Sequence, residues 1–385
     1  MTFGTLALIV AVGLAGPLLS VLPTRLAPPV VIGEIAAGVV LGQTGTKTID
    51  ATNPTLAFLA NIGFALLMFI VATNLPLRHV NLRAVTTKGL WATALAVALS
   101  IALSPLVASL SGLHRPGVIA VILASSSAAI VLPIIGTSRS PDVLVTIAWI
   151  SFADIVTVLA VPFVLRTGTF ARTTLGAVLI VAGAAVFGLV IHRLIGLAPV
   201  ESLRHQSHRK AWALDLRLSL LVLFTLAWIA ERFDTSILLA GFAAGVMVSA
   251  IGEPRRVADQ LIGLGEGFFV PLFFVVLGAR IDLRALVQSR DNLVLFALLL
   301  AGTTLVPVVV AALVRLPVWS GLLAAAELGV PSAVAALGLA NNALSPGQAA
   351  AIVGTAALSL AVATYGASRR EAGSDVSRRE PDGAQ

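Results

Sequence analysis

Residues 121–136 read VILASSSAAIVLPIIG, an apolar run holding three consecutive serines (Ser125, Ser126, Ser127) and then Pro133. Residues 324–342 read AAAELGVPSAVAALGLANN, with Glu327, Gly329 and Pro331 inside another apolar run. Proline removes a backbone donor and clashes with the preceding helical turn, so both runs are predicted to break or unwind. They are the fifth and twelfth of thirteen apolar segments in the chain, and that odd separation makes them cross in opposite senses. Interrupted helices of opposite sense are the sequence sign of inverted repeats with an ion site near the membrane midplane.

The composition sets the solvent. The chain of 385 residues is 58% hydrophobic and only 11% charged, against about 25% charged in an ordinary soluble domain. The thirteen segments run over 4–22, 29–43, 55–74, 89–110, 117–135, 143–165, 174–196, 211–230, 236–252, 267–279, 292–314, 318–340 and 347–366. Many approach the ~20 residues that cross a hydrocarbon core as a helix. The fold class that follows is an all-α polytopic membrane protein of about thirteen transmembrane helices. The N-terminus is apolar from Phe3 without a basic leader, so it reads as a first membrane helix and not a cleaved signal.

Charge placement predicts orientation. The net charge is +7, but its basic residues sit in short loops and the tail with no interleaved aromatics, which argues against nucleic acid. With the C-terminus cytoplasmic, sixteen Lys/Arg fall on that side and eight on the other, so N-out and C-in is favoured. The tail 367–385 is polar and reads as disordered and cytoplasmic. There is no cysteine, and the histidines lie in loops or at span ends, His205 and His208 in one basic loop. No phosphate-cradling loop or zinc spacing is present, so the chain does not read as an enzyme and calls for no cofactor.

One acid stands out. In ISFADIVTVLAVPFVL (150–165), Asp154 lies at the centre of a span, and no basic residue occurs between Arg139 and Arg166. An ionised carboxylate there costs roughly 3 kcal/mol on insertion scales, so it must face a cavity, find a partner or stay protonated. Held neutral and bonded to a neighbouring helix, it would be structural. Open to a cavity, it is a site where a proton and Na⁺ or K⁺ compete, because burial favours the neutral form and a hard cation favours the charged one. Ser125, Ser126, Ser127 and Ser151, with carbonyls freed by the broken fifth helix, would complete an oxygen shell; singly, each serine is equally a packing residue.

Other polar residues are candidates for the ion path or for charge balance. Glu34, in PPVVIGEIAAGVVLGQ (28–43), either lines a funnel or snorkels to the interface. Glu327 either serves the ion path or makes an interhelical hydrogen bond. Arg280 and Asp282 end the tenth span as an interfacial stop that could also gate, and Thr303 is most simply a packing hydroxyl.

Six stretches together resemble a known family: PPVVIGEIAAGVVLGQ (28–43), LANIGFALLMFIVATNL (59–75), ASSSAAIVLPII (124–135), FADIVTVLAVPF (152–163), ILLAGFAAGVMVSAIG (237–252) and FFVPLFFVVLGARID (268–282). In this order, across about 5–366, they resemble the monovalent cation:proton antiporter-2 family of the sodium/proton exchanger superfamily. The resemblance implies two crossed, unwound helices, a mobile core (here including 117–165 and 292–340) moving as an elevator against dimerisation helices, and ion binding at Asp154. Related exchangers carry Asp-Asp, Asn-Asp or Gln-Asp where this chain has Ala153-Asp154, and often a lysine near Thr303. Members with an arginine–glycine motif in the helix like 318–340 differ from Glu327-Leu328 here.

The expectation is therefore a homodimeric Na⁺ or K⁺:proton antiporter in the inner (plasma) membrane, in a transporter domain spanning 1–366. A single carboxylate makes its exchange electroneutral. The alternatives are a potassium-efflux or channel-like relative, and a non-transporting scaffold or sensor that kept the fold.

Overall fold

The computed structural model describes residues 2–20, 30–73, 83–128, 130–131, 140–165, 170–195, 214–233, 235–251, 261 and 263–379. The described residues are helices and short turns, without strands. In lipid every backbone N–H and C=O must be satisfied within the protein, and continuous helices are the simplest way to do so. In chain order they are α1 (Phe3–Gly13), α2 (Ala15–Ser20), α3 (Val30–Leu41), α4 (Pro54–Thr73), α5 (Arg83–Ser111), α6 (Pro116–Ala124), α7 (Pro141–Val164) and α8 (Phe170–Ile195). Then follow α9 (Leu214–Arg232), α10 (Ile237–Ile251), a π turn (Gly265–Phe269) continuing into α11 (Val270–Arg280), α12 (Leu283–Gln288), α13 (Arg290–Leu313), α14 (Val318–Ala324), α15 (Gly329–Ala340) and α16 (Pro346–Arg379).

Where their residues are described, the predicted apolar segments overlap these helices. Seven stretches of the described residues are long and apolar enough to cross a membrane by themselves. Large apolar side chains such as Trp91, Leu189 and Trp228 point outward, as they must where the solvent is hydrocarbon. The chain is a multi-pass membrane protein. The last helix continues to Arg379, so residues 367–379 are helical where the sequence predicts disorder. Alanine, arginine and glutamate are good helix formers, and no proline intervenes before Pro381.

Local chemistry sets the helix ends. Proline occupies the first turn of α6 and α7, where its missing N–H is not needed. Asp282 caps α12, its carboxylate accepting from the N–H of Arg284 at 2.9 Å and of Ala285 at 3.1 Å. Arg280 donates from Nε to the Ala51 carbonyl at 3.2 Å. That pair therefore anchors the 42–53 loop to the end of α11.

Two groups of helices pack internally far more than against each other. One comprises α5, α6, α7, α13, α14, α15 and α16; the other joins α1–α4 with α9, α10 and α11, and α8 lies along α9 and α10. Direct contact between the groups is thin, mainly α7 with α10 and α11 with α15. Within the second group small residues bring backbones together, the usual basis of helix association in lipid. A Cβ at Gly38 would lie 2.2 Å from the Val275 carbonyl oxygen, and one at Gly278 would lie 2.2 Å from that of Ile35. Gly38→Val should accordingly destabilise the protein by about 1–3 kcal/mol, read as a lowered unfolding temperature in detergent. Gly263→Ala, where a Cβ meets nothing within 4 Å, should leave that temperature unchanged.

Candidate ion-binding site

The site is built where two helices stop. α6 ends at Ala124, Ser125 turns to an extended conformation (φ −72°, ψ 153°), and helix resumes only at Ala128. A break therefore falls on the serines, and Pro133 lies outside the described residues. Serine explains it: the Ser125 hydroxyl lies 2.8 Å from the Ile122 carbonyl, offering the backbone an alternative to the next helical bond. α14 ends at Ala324, residues 326–328 are non-helical, and α15 starts at Gly329 with Pro331 in its first turn. This break precedes both residues expected to cause it, and Glu327 sits inside it.

The two unwound stretches satisfy one another. The Ser127 N–H donates to the Ala326 carbonyl at 2.8 Å, and the Ser125 hydroxyl hydrogen-bonds with Glu327 Oε2. From the far side, Ser359 of α16 accepts from the Glu327 N–H at 3.1 Å.

Asp154 lies mid-way along α7, only 4% exposed. Its carboxylate accepts from the N–H of Ala128, the first residue of the resumed helix, where unpaired N–H groups and the helix dipole favour negative charge. Its other oxygen, Oδ2, has no partner, nor do the hydroxyls of Ser126 and Ser151. Ser151 is one turn from Asp154 on the same helix face. Buried oxygens without partners, beside a carboxylate with no basic neighbour among the described residues, are the oxygen set a dehydrated monovalent cation requires.

Asp154 and Ser127 also line a cavity of about 480 Å³ shared with Glu34, Glu266, Leu328 and Gly329. The cavity lies in the seam between the two helix groups, with Val31, Glu34, Leu67, Met68 and Val270 on its other wall. Glu34 thus faces the cavity, 3% exposed, and does not snorkel. Thr303 is buried in α13, 3.4 Å from the Leu300 carbonyl, and neither it nor Arg280 lines this cavity. The loop bearing His205 and His208 lies outside the described residues.

Sequence reasoning missed three contributors. The Ala128 N–H is a backbone group whose freedom depends on where the fifth helix breaks. Ser359 is one serine in an apolar span, with no local sign that it reaches Glu327. Glu266 precedes the tenth apolar segment and enters the cavity wall through the π turn.

Residues 7–369 match the family described as sodium/hydrogen exchanger, transmembrane. Among similar proteins, the putative Na⁺/H⁺ antiporter YjbQ of Bacillus subtilis (strain 168) is 24% identical over 361 residues, covering 86% of this chain and 57% of that protein. The glutathione-regulated potassium-efflux system protein KefC of Shigella flexneri serotype 5b is 28% identical over 282 residues, covering 70% of this chain and 44% of the relative. The Na⁺/H⁺ antiporter NhaS5 of Synechocystis is 27% identical over 308 residues, covering 78% and 41%. The chain spans about half the length of these relatives. The solved sodium proton antiporter MjNhaP1 of Methanocaldococcus jannaschii shares the fold, with TM-score 0.64 at 16% identity over 96% of this chain and 97% of that one. Over almost its whole length, then, sequence and architecture agree, and the chain belongs to the transmembrane sodium/hydrogen exchanger family.

Proposed function

We propose that the protein exchanges Na⁺ or K⁺ for protons at Asp154, by alternating access of an elevator type. The observation that carries this reading is a mid-span carboxylate that faces a cavity, keeps one oxygen unpartnered and touches no basic group among the described residues. Ionised, Asp154 binds a cation with the help of Ser126, Ser151 and the carbonyls at the breaks. Protonated, it releases the cation.

Coupling follows from the cost of charge. An empty, ionised Asp154 would cross the midplane with a penalty of roughly 3 kcal/mol, which makes that crossing about 100-fold rarer than the neutral ones. Only the proton-loaded and cation-loaded forms move readily, and each carries no net charge. One proton then exchanges for one cation, electroneutrally. The group of helices bearing Asp154 is the mobile core, and the thin seam beside it is the plane of sliding. The second group supplies the dimer contact of a homodimer in the inner membrane, N-terminus outside and C-terminus cytoplasmic. Glu34, on the wall opposite Asp154, draws cations into the cavity. Similarity to proteins named for Na⁺ exchange and for K⁺ efflux supports both cations.

In sealed proteoliposomes, Asp154→Asn should abolish cation-induced proton flux, since asparagine can neither ionise nor take up a proton. Retained flux in that variant would refute Asp154 as the exchange site. Proton and cation compete for one group, so on the acid side the cation KM should rise about tenfold per pH unit and kcat should hold. A hundredfold rise per unit would mean two protons compete, and a steady current at clamped voltage would overturn electroneutrality. Glu34→Gln should raise the cation KM severalfold with kcat unchanged; an unchanged KM would remove Glu34 from the path.

A further inference from the structure

We infer that Glu327 is a permanently protonated positioning residue, one that pins the two unwound stretches together and does not take part in exchange. The inference rests on the exchange reading of Asp154 and assigns the opposite role to the second membrane-buried acid of the same core.

The argument starts from hydrogen-bond capacity. The Ser125 oxygen lies within bonding reach of two groups, Glu327 Oε2 and the Ile122 carbonyl. A hydroxyl carries one hydrogen, and a carbonyl can only accept. Both contacts are satisfied together only if Glu327 supplies the second hydrogen. The chain then runs from Glu327 Oε2–H to Ser125 Oγ, and from Ser125 Oγ–H to the Ile122 carbonyl. With Glu327 ionised, one of these two close oxygen pairs would hold no hydrogen, although the Ile122 carbonyl also accepts from the Ser125 N–H at 3.1 Å.

Surroundings agree with that count. Glu327 is 1% exposed, and its Oε1 has no partner. An orphaned carbonyl oxygen of a neutral acid is a modest cost, whereas half of an ionised carboxylate without a donor or a cation is a severe one. Among the described residues, the other buried titratable side chain on the elements packed around it is Asp154. Arg115, Asp142, Arg280 and Asp291 stand at helix ends, and Arg369 is exposed on α16, donating to the Tyr365 hydroxyl at 2.7 Å.

Water access separates the two acids. Asp154 lines the cavity together with Leu328 and Gly329, the residues that follow Glu327 in the chain, whereas Glu327 does not line it. Its backbone is turned toward Ser359 on α16. One acid meets water and cations, and the other is sealed in the crossing that holds the first in place.

The test uses the full chain in proteoliposomes, with Na⁺ and K⁺ as probes. Glu327→Gln keeps a donor of the same shape, so flux should stay within about twofold of wild type, with an unchanged pH profile and no current. Glu327→Ala removes the Ser125 hydroxyl's partner on the other unwound stretch, and flux should fall about tenfold or more, its residual pH profile unmoved. A shifted profile or a new current in Glu327→Gln would overturn the inference, since either means that Glu327 titrates during the cycle. Infrared spectroscopy decides independently of transport, even if a variant folds poorly. A protonated-carboxyl stretch should persist in wild type over the working pH range, ignore added Na⁺ or K⁺, and disappear in Glu327→Gln but remain in Asp154→Asn. A band that titrates or responds to cation refutes the sealed acid. Flux surviving in Asp154→Asn would refute the exchange site and leave the infrared result standing by itself.

Discussion

Hydrocarbon offers no hydrogen bonds, so a helix that unwinds inside a membrane must find partners for its freed backbone within the protein. Here two unwound stretches meet that demand by facing each other. The Ser127 N–H to Ala326 carbonyl bond at 2.8 Å is the direct backbone link, and Ser125, Glu327 and Ser359 supply side-chain partners around it. The site depends on this crossing. Where α6 breaks decides which N–H groups lie free at Ala128, and those decide where a carboxylate on α7 can be held.

The same crossing gives two acids different environments within one core. Asp154 receives one backbone donor and keeps the rest of its capacity open toward a cavity. Glu327 bonds with Ser125 through one oxygen and does not line that cavity. In a low-dielectric interior the identity of a carboxylate decides little, and its donors and its access to solvent decide its role. A second ionised acid without a cation of its own would burden every passage through the membrane, so a design with a single charge-carrying group favours keeping the other neutral.

Packing separates a tight scaffold from a looser seam. Glycines at the α3–α11 crossing bring backbones close enough that a single added carbon would collide with a carbonyl. Between the two groups of helices contact is thin, and the cavity occupies that seam with walls drawn from both. Strong cohesion within groups and weak cohesion between them is the arrangement in which relative motion costs least.

Much of this was legible in the chain. The scarcity of charge and the length of the apolar runs determined that the protein is a helical membrane protein, because both follow from transfer energetics that do not depend on tertiary contacts. The lone Asp154 and the two interrupted spans were equally visible, since a charge or a helix breaker in an apolar span is costly wherever it sits. The exact breaks were not. Pro331 drew attention away from residues 326–328, because proline is harmless in a first turn, and serines such as 125–127 break a helix only when their freed groups find partners. The sequence likewise left Glu34 between funnel and interface, and Glu327 between ion path and interhelical bond. Those choices depended on which side chains from distant segments came within 3 Å or so of one another. Only the tertiary structure decided them, by setting Ser125 against Glu327, the Ala128 N–H against Asp154, and Glu34 across a cavity from it.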